Sequence, residues 1–392
     1  MDQPYQQNPQ DPQDPQDPTE NSEQAQPPQP PPPFSCTFSP NIPELLQQMN
    51  ASLAISTYQA GKVILISPKN RDELIQLPRN FAKPMGIAVK GQKMAIATLD
   101  EVIILGNAQG LAKNYPRQPN IYDSFYVPRA SYFTGEVDLH DLEWGNDGLW
   151  GVNTSFSCLS IINDDFSFTP KWQPPFISKL APEDRCHLNG VAFVDGEPKY
   201  VTALGATDTK NGWRKNKATG GILMDIESNE TILKGLSMPH SPRVYNDNLY
   251  VLLSGTGEIV RVNTKTRKYD ILKEMSGFTR GMDQYGDYLF IALSKLRTTS
   301  KAFQDLPISK KSVFAGIVII YLPSASTVGY IKYESSVDEI FDVRVLPGTT
   351  RPGLLSTMRP DYKMAISIPE SSFWAAPKKP KENTEPENTD KS

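Results

Sequence analysis

Histidine is almost absent from this chain, with His140, His187 and His240 the only three in 392 residues. Cysteine is as scarce: Cys36, Cys158 and Cys186. So sparse and odd a set excludes a disulfide scaffold and fits a reducing, cytoplasmic compartment. No apolar run approaches the ~18 residues that span a bilayer. Mean hydropathy is −0.43, and no membrane partner is expected. The N-terminal stretch MDQPYQQNPQDPQDPQDPTE has neither the basic nor the apolar segment of a secretory signal. Excess positive charge is missing too. A net charge of −4 excludes the basic footprint of a nucleic-acid partner. The motif inventory is equally thin, with no GxSxG elbow, Walker loop, paired CxxC or Rossmann fingerprint in context.

The charge that is present lies unevenly. Residues 1–34 carry six acids and no base, and residues 377–392 balance four lysines against four acids. Both segments read as disordered tails, because DPQ triplets and QPPQPPPPF bury too little apolar surface to offset ordering entropy. The Pro-rich run has the composition of an SH3-type ligand as well as of a solvated tail, and the solvated tail is the expectation. Residues 35–376 remain as one domain of close to neutral charge.

That domain is built of short alternating runs such as GKVILIS, KMAIAT, NLYVLLSG and AGIVIIYL, separated by Gly, Asn, Asp and Lys turns. They read as antiparallel strands of an all-β fold. Longer units recur: PRVYNDNLYVLLSGTGEIVRVNTKTRKYDILKEM gives four strands joined by three turns. A four-stranded meander at this period is the signature of a β-propeller blade. Six inner strands align as KPMGIAV, HDLEWGN, HLNGVAF, HSPRVYN, FTRGMDQ and FDVRVLP, spaced by 57, 47, 53, 38 and 63 residues. Six blades are therefore expected. SLAISTYQAGKVILISPKNRDELIQLP looks like a blade without its inner strand, and FDVRVLP supplies one. N- and C-terminal strands then close the ring in a shared blade, leaving no free edge in it. After DVRVLPG the sequence fades into polar residues. SPNIPELLQQMNAS predicts a short helix on the outside.

In this alignment the three histidines lead three consecutive inner strands, with Lys83, Phe278 and Phe341 at the same position in the others. Three imidazoles converging at one mouth of the central channel are the expected ligands of a divalent transition metal, Zn, Fe, Cu or Ni, with a position left open for water or substrate. The competing reading is a histidine cluster that binds an acidic ligand directly. Asp141 and Glu143 are candidate bases, and Arg243 and Arg280 candidate anion holders and catalytic partners. Asp141 and Asp342 would alternatively orient the imidazoles or serve as turn residues. Further candidate contacts to a small-molecule or peptide ligand are Lys83, Asn189, Asp342 and Arg344, together with the long loops carrying Asp208, Trp213, Arg214, Lys295 and Arg297. VNTSFSCLS adds Asn153, Ser155 and Cys158. Cys186, next to His187, is expected to be buried and structural, since alternation turns the two side chains to opposite faces.

The run from HDLEW through NTSFSCLS, PPFISKLAPEDRCHLNGVAF, YVTALGATDTKNGWR, MPHSPR, GFTRGM, LFIALSKLR and EIFDVRVLPG resembles an uncharacterised bacterial family of conserved hypothetical proteins with a domain of unknown function. The resemblance implies a single β-propeller-like domain and brings no activity or site residue with it. Two functions stay open: a metal-dependent hydrolase, lyase or oxidoreductase acting on a small or peptide-like anionic substrate, and a non-catalytic propeller that binds a protein or peptide.

Overall fold

Tight left-handed turns set the register of the strands. Phe193 to Glu197 reverses through Asp195 and Gly196, at φ 52° and 80°, and Tyr245 to Asn248 through Asn246 and Asp247, at 47° and 60°. These are the backbone signs of the hairpin turns whose twist matches that of the flanking strands. Repeated hairpins yield six small antiparallel sheets around an axis, a six-bladed β-propeller. The computed structural model describes residues 30–296, 303–311 and 314–375. The expected tails fall largely outside them. No helix among the described residues is long and apolar enough to cross a membrane.

The blades follow chain order. The first pairs Asp342–Pro347, as its inner strand, with Ala51–Thr57, Lys62–Pro68 and Leu74–Asn80. The clasp expected from the sequence is therefore present, with Ser56 opposite Asp342 and Ala51 opposite Pro347. The second blade starts at Ile87–Lys90, the third at Leu139–Trp144, the fourth at Leu188–Val194, the fifth at Pro239–Tyr245 and the sixth at Phe278–Tyr285. Each is an inner strand foreseen in the alignment. The helix Ile42–Gln48 buries Ile42 and Leu46 in a cluster shared by the first and sixth blades, with Ile64, Phe290 and Ile319.

Two features depart from the simple meander. Cys36–Phe38 adds a fifth strand to the edge of the sixth blade, and Pro352–Leu354 adds one to the second, parallel to Ser124–Phe133. The segment after Pro347 does not fade. It continues through Pro352–Leu354 into a hairpin of Ala365–Ile368 and Ser371–Trp374. Trp374 packs 5.1 Å from Tyr115 and 5.5 Å from Phe125, ring centre to ring centre, and donates Nε1–H to the Leu111 carbonyl at 2.9 Å. Its apolar residues are too few to show a period; they order by covering the insertion that precedes Ser124–Phe133.

Adjacent inner strands alternate in bulk. Gly86, Gly190 and Gly281 stand at one level of the second, fourth and sixth blades, where Glu143, Arg243 and Arg344 stand in the third, fifth and first. A Cβ at Gly190 would lie 2.5 Å from the Pro242 ring, and one at Gly281 2.6 Å from the Asp342 Cα. The glycine strands thus admit their neighbours at backbone contact, and the charged side chains fill the axis. Asp141 of the third blade takes a bidentate pair of bonds from Arg243 of the fifth, at 2.8 and 2.9 Å. Arg344 of the first blade reaches the same carboxylate at 3.5 Å and Asp342 at 3.4 Å. The contacts of Asp141 with Arg243 and Arg344 span non-adjacent blades, so the network crosses the channel and divides its two mouths.

Candidate functional site

The inner strands begin at one mouth, which is bordered by Trp213 and Arg214 from the loop between the second and third strands of the fourth blade and by Phe303 of the sixth. There the chain forms a partly open pocket of about 190 Å³. His140, His187 and His240 all line it, together with Trp213, Arg214, Arg280 and Phe341. The alignment thus brings the three histidines of the chain to one pocket. The His140 and His187 rings meet edge to face, with centres 4.8 Å apart. His140 lies 5.4 Å from Phe341, and His240 5.8 Å from Phe278. The pocket is accordingly aromatic on the side where the alignment puts phenylalanine.

Each imidazole is fixed through Nδ1. His140 is bonded to the Asp138 carbonyl and His240 to the Met238 carbonyl, both at 3.0 Å. A carbonyl only accepts, so Nδ1 holds the proton and a neutral ring has its lone pair on Nε2. His187 Nδ1 meets the Asp184 carboxylate at 2.9 and 3.1 Å. Asp184 also accepts from Trp213 Nε1–H at 2.9 Å, and Trp213 stacks on His187 with centres 4.2 Å apart. Asp184 and His187 sit at φ 45° and 51°, strained values for residues with side chains. Burial pushes the His140 imidazolium down to about 4, with nearby His187 and Arg280 in the same direction and Asp138 opposing. Burial, then Arg280, holds His240 well below its ordinary value. Both rings are therefore neutral near pH 7. His187 in turn has the parts of a base: a ring held in orientation and a carboxylate to stabilise its imidazolium after proton uptake.

Arg280 is the less exposed of the two arginines lining the pocket. Its guanidinium lies 4.2 Å over the Phe341 ring and 5.9 Å from Phe278. Burial lowers its pKa, but a guanidinium remains charged at neutral pH. Among the described residues it has no ion pair and its side chain no hydrogen bond. Arg214 instead stacks over Trp213 at 4.5 Å and approaches Asp184 at 4.0 Å.

The other sequence candidates lie elsewhere. Asp141, Arg243, Asp342 and Arg344 form the axial network below the pocket, where burial raises the Asp342 carboxyl to about 6. Glu143 lies on its far side and lines the opposite mouth with Asp283 and Arg344. Asn189 ties two blades together, donating to the Pro239 carbonyl at 2.9 Å and accepting from Thr202 at 2.7 Å. Asp208 anchors its own loop through Arg185 at 2.5 Å and the Ser178 N–H at 3.0 Å. Lys295 approaches Asp338 at 3.5 Å, and Lys83 stands over Tyr58 at 5.9 Å. Asn153 is buried and accepts from the Phe156 N–H at 3.0 Å. Arg297 lies outside the described residues. Cys186 is fully buried, and burial lifts its thiol to about 12, as suits a structural residue.

Sequence reasoning missed Asp138, Asp184, Glu339 and Tyr58. Asp138 and Glu339 line the pocket from the same register, two residues before His140 and Phe341. Extending the strand alignment two residues upstream would have found both. Asp184 carried no signal, because its loop has no counterpart in the other blades.

The donor chemistry suits a transition metal, but the spacing is wider than a ligand shell. Among the described residues no group of three or more His, Cys, Asp and Glu side chains stands close enough to hold an ion. Fold and pocket together define a six-bladed propeller closed along its axis, with an imidazole-, aromatic- and arginine-lined cavity at one mouth. Residues 40–355 match the family described as Domain of unknown function (DUF4915), and the chain belongs to that family. No curated protein matches it. Among solved structures it is similar to a chain in the crystal structure of a nidogen/laminin complex, with 9% identity, 76% of this chain and 99% of that chain covered, and a TM-score of 0.49.

Proposed function

We propose that the histidine mouth binds a small anionic ligand. Arg280 carries this reading. A half-buried cation without an ion pair among the described residues is available to an anion, and this one faces a cavity lined by hydrogen-bonding imidazoles. The polar groups converge in a recess rather than on an open surface, which favours a small molecule over a docking protein. His187 and Asp184 add the means to move a proton from such a ligand. Calorimetric titration with small carboxylates and inorganic phosphate tests the reading. Arg280→Gln is expected to weaken binding roughly 10- to 150-fold, the worth of a charge-assisted hydrogen bond. Unchanged affinity in a variant that melts like the parent would overturn it.

A second reading, a divalent metal held by His140, His187 and His240, is favoured by the fixed Nδ1 atoms. Partners at Nδ1 are what metal-binding imidazoles use to present Nε2. It requires the three rings to rotate toward a common point. Elemental analysis of tag-free protein should then find near-stoichiometric Zn, Fe, Cu or Ni that disappears in His187→Ala. Metal-free protein that takes none up on reconstitution would leave the anion reading alone.

A further inference from the structure

The pocket holds charges of both signs that make no ion pair among the described residues. Opposite in sign to Arg280 are Asp138 and Glu339, which line the same cavity. Neither carboxylate makes an ion pair or side-chain hydrogen bond among the described residues, and Glu339 Oε2 is buried with no partner at all. Arg280 senses both acids electrostatically, Glu339 more strongly than Asp138. Tyr58 senses all three. Yet no Arg280 nitrogen comes within the 4.0 Å of an ion pair with either acid. The groups attract one another across the pocket without closing an ion pair, so a ligand entering it meets a cation on one side and carboxylates on the other.

We infer that the ligand is a small zwitterion, its carboxylate on Arg280 and its ammonium group on Glu339 with Asp138 beside it: the chemistry of a free amino acid. This rests on the anion-binding reading of the same pocket and narrows it. Such a ligand arrives with its own charges already balanced, so the pocket's near-neutral balance is kept when it binds. Its apolar part meets Trp213, Phe303 and Met238, which line the remaining wall. A simple carboxylate would satisfy Arg280 and leave the two acids facing an uncharged group, at a cost.

Calorimetry with matched probes tests this. α-, β- and γ-amino acids are each titrated beside the acid lacking the amine and the amine lacking the acid, for example leucine, 4-methylpentanoate and 3-methylbutylamine. At least one amino acid should bind about tenfold or more tightly than both its partners. Glu339→Gln should erase its advantage over the acid, and Arg280→Gln its advantage over the amine. Thermal melts confirm that each variant folds. If every acid binds as tightly as its amino acid and Glu339→Gln changes nothing, the zwitterion inference fails and the anion reading stands. If neither acids nor amino acids bind, both fail.

Discussion

Replacing Asp141 by alanine is expected to destabilise the propeller by about 3–5 kcal/mol, the usual cost of leaving a buried charge without its partner. The carboxylate is 4% exposed and serves two arginines from different blades while also accepting from the Val191 N–H at 3.2 Å. Without it, Arg243 and Arg344 face each other across the axis with Asp342 as the nearest remaining anion. The loss should appear as a lower urea midpoint with an unchanged slope. Asp342→Asn should cost less, because burial has already pushed that carboxyl up to about 6 and its ionised form is held less firmly. Equal, small losses for both would show that Asp141 does not centre the network.

A chain ending at Ile340 should lose the cooperative fold altogether. It lacks the inner strand of the first blade, whose Val343, Val345 and Leu346 are at most 4% exposed. Burial of three such side chains contributes on the order of 5–9 kcal/mol, comparable to the whole stability of a typical domain. The truncation also removes Asp342 and Arg344 from the axis and bares the edge of Ala51–Thr57 to other chains. Broad melting and self-association are expected. A sharp transition at the parent's temperature would show that the clasp is dispensable.

Most of the ring was legible because a blade repeats. Six comparable inner strands correct one another's register, and a one-residue slip would have reversed the face of every residue in a strand. The same repetition located the three histidines and the phenylalanines beside them. It did not separate depth along the strand. Asp141 and Glu143 stand one and three residues after His140, yet one lies in the axial network and the other at the far mouth. Alternation and the bulges after the lead residues carry them there. Features that occur once, the Asp184 loop and the hairpin ending at Trp374, had no second copy to align with. The hairpin takes its order from a segment more than 200 residues away, as between Trp374 and Leu111, and the Asp184 loop from Ser155 and Trp213 in neighbouring loops.

The alternation of glycine with charged residues around the axis has a consequence for traffic. A propeller's central hole invites comparison with a conduit, but here three tightly seated strands and a ring of arginines and carboxylates plug it. A molecule that reaches the histidines must leave by the door through which it came. The way in and out lies on the side of Trp213 and Phe303, which line the pocket, and not through the ring. The opposite mouth, a recess of about 430 Å³ bordered by Glu143 and Asp283, is a separate compartment. A solute bound in one would be hidden from the other.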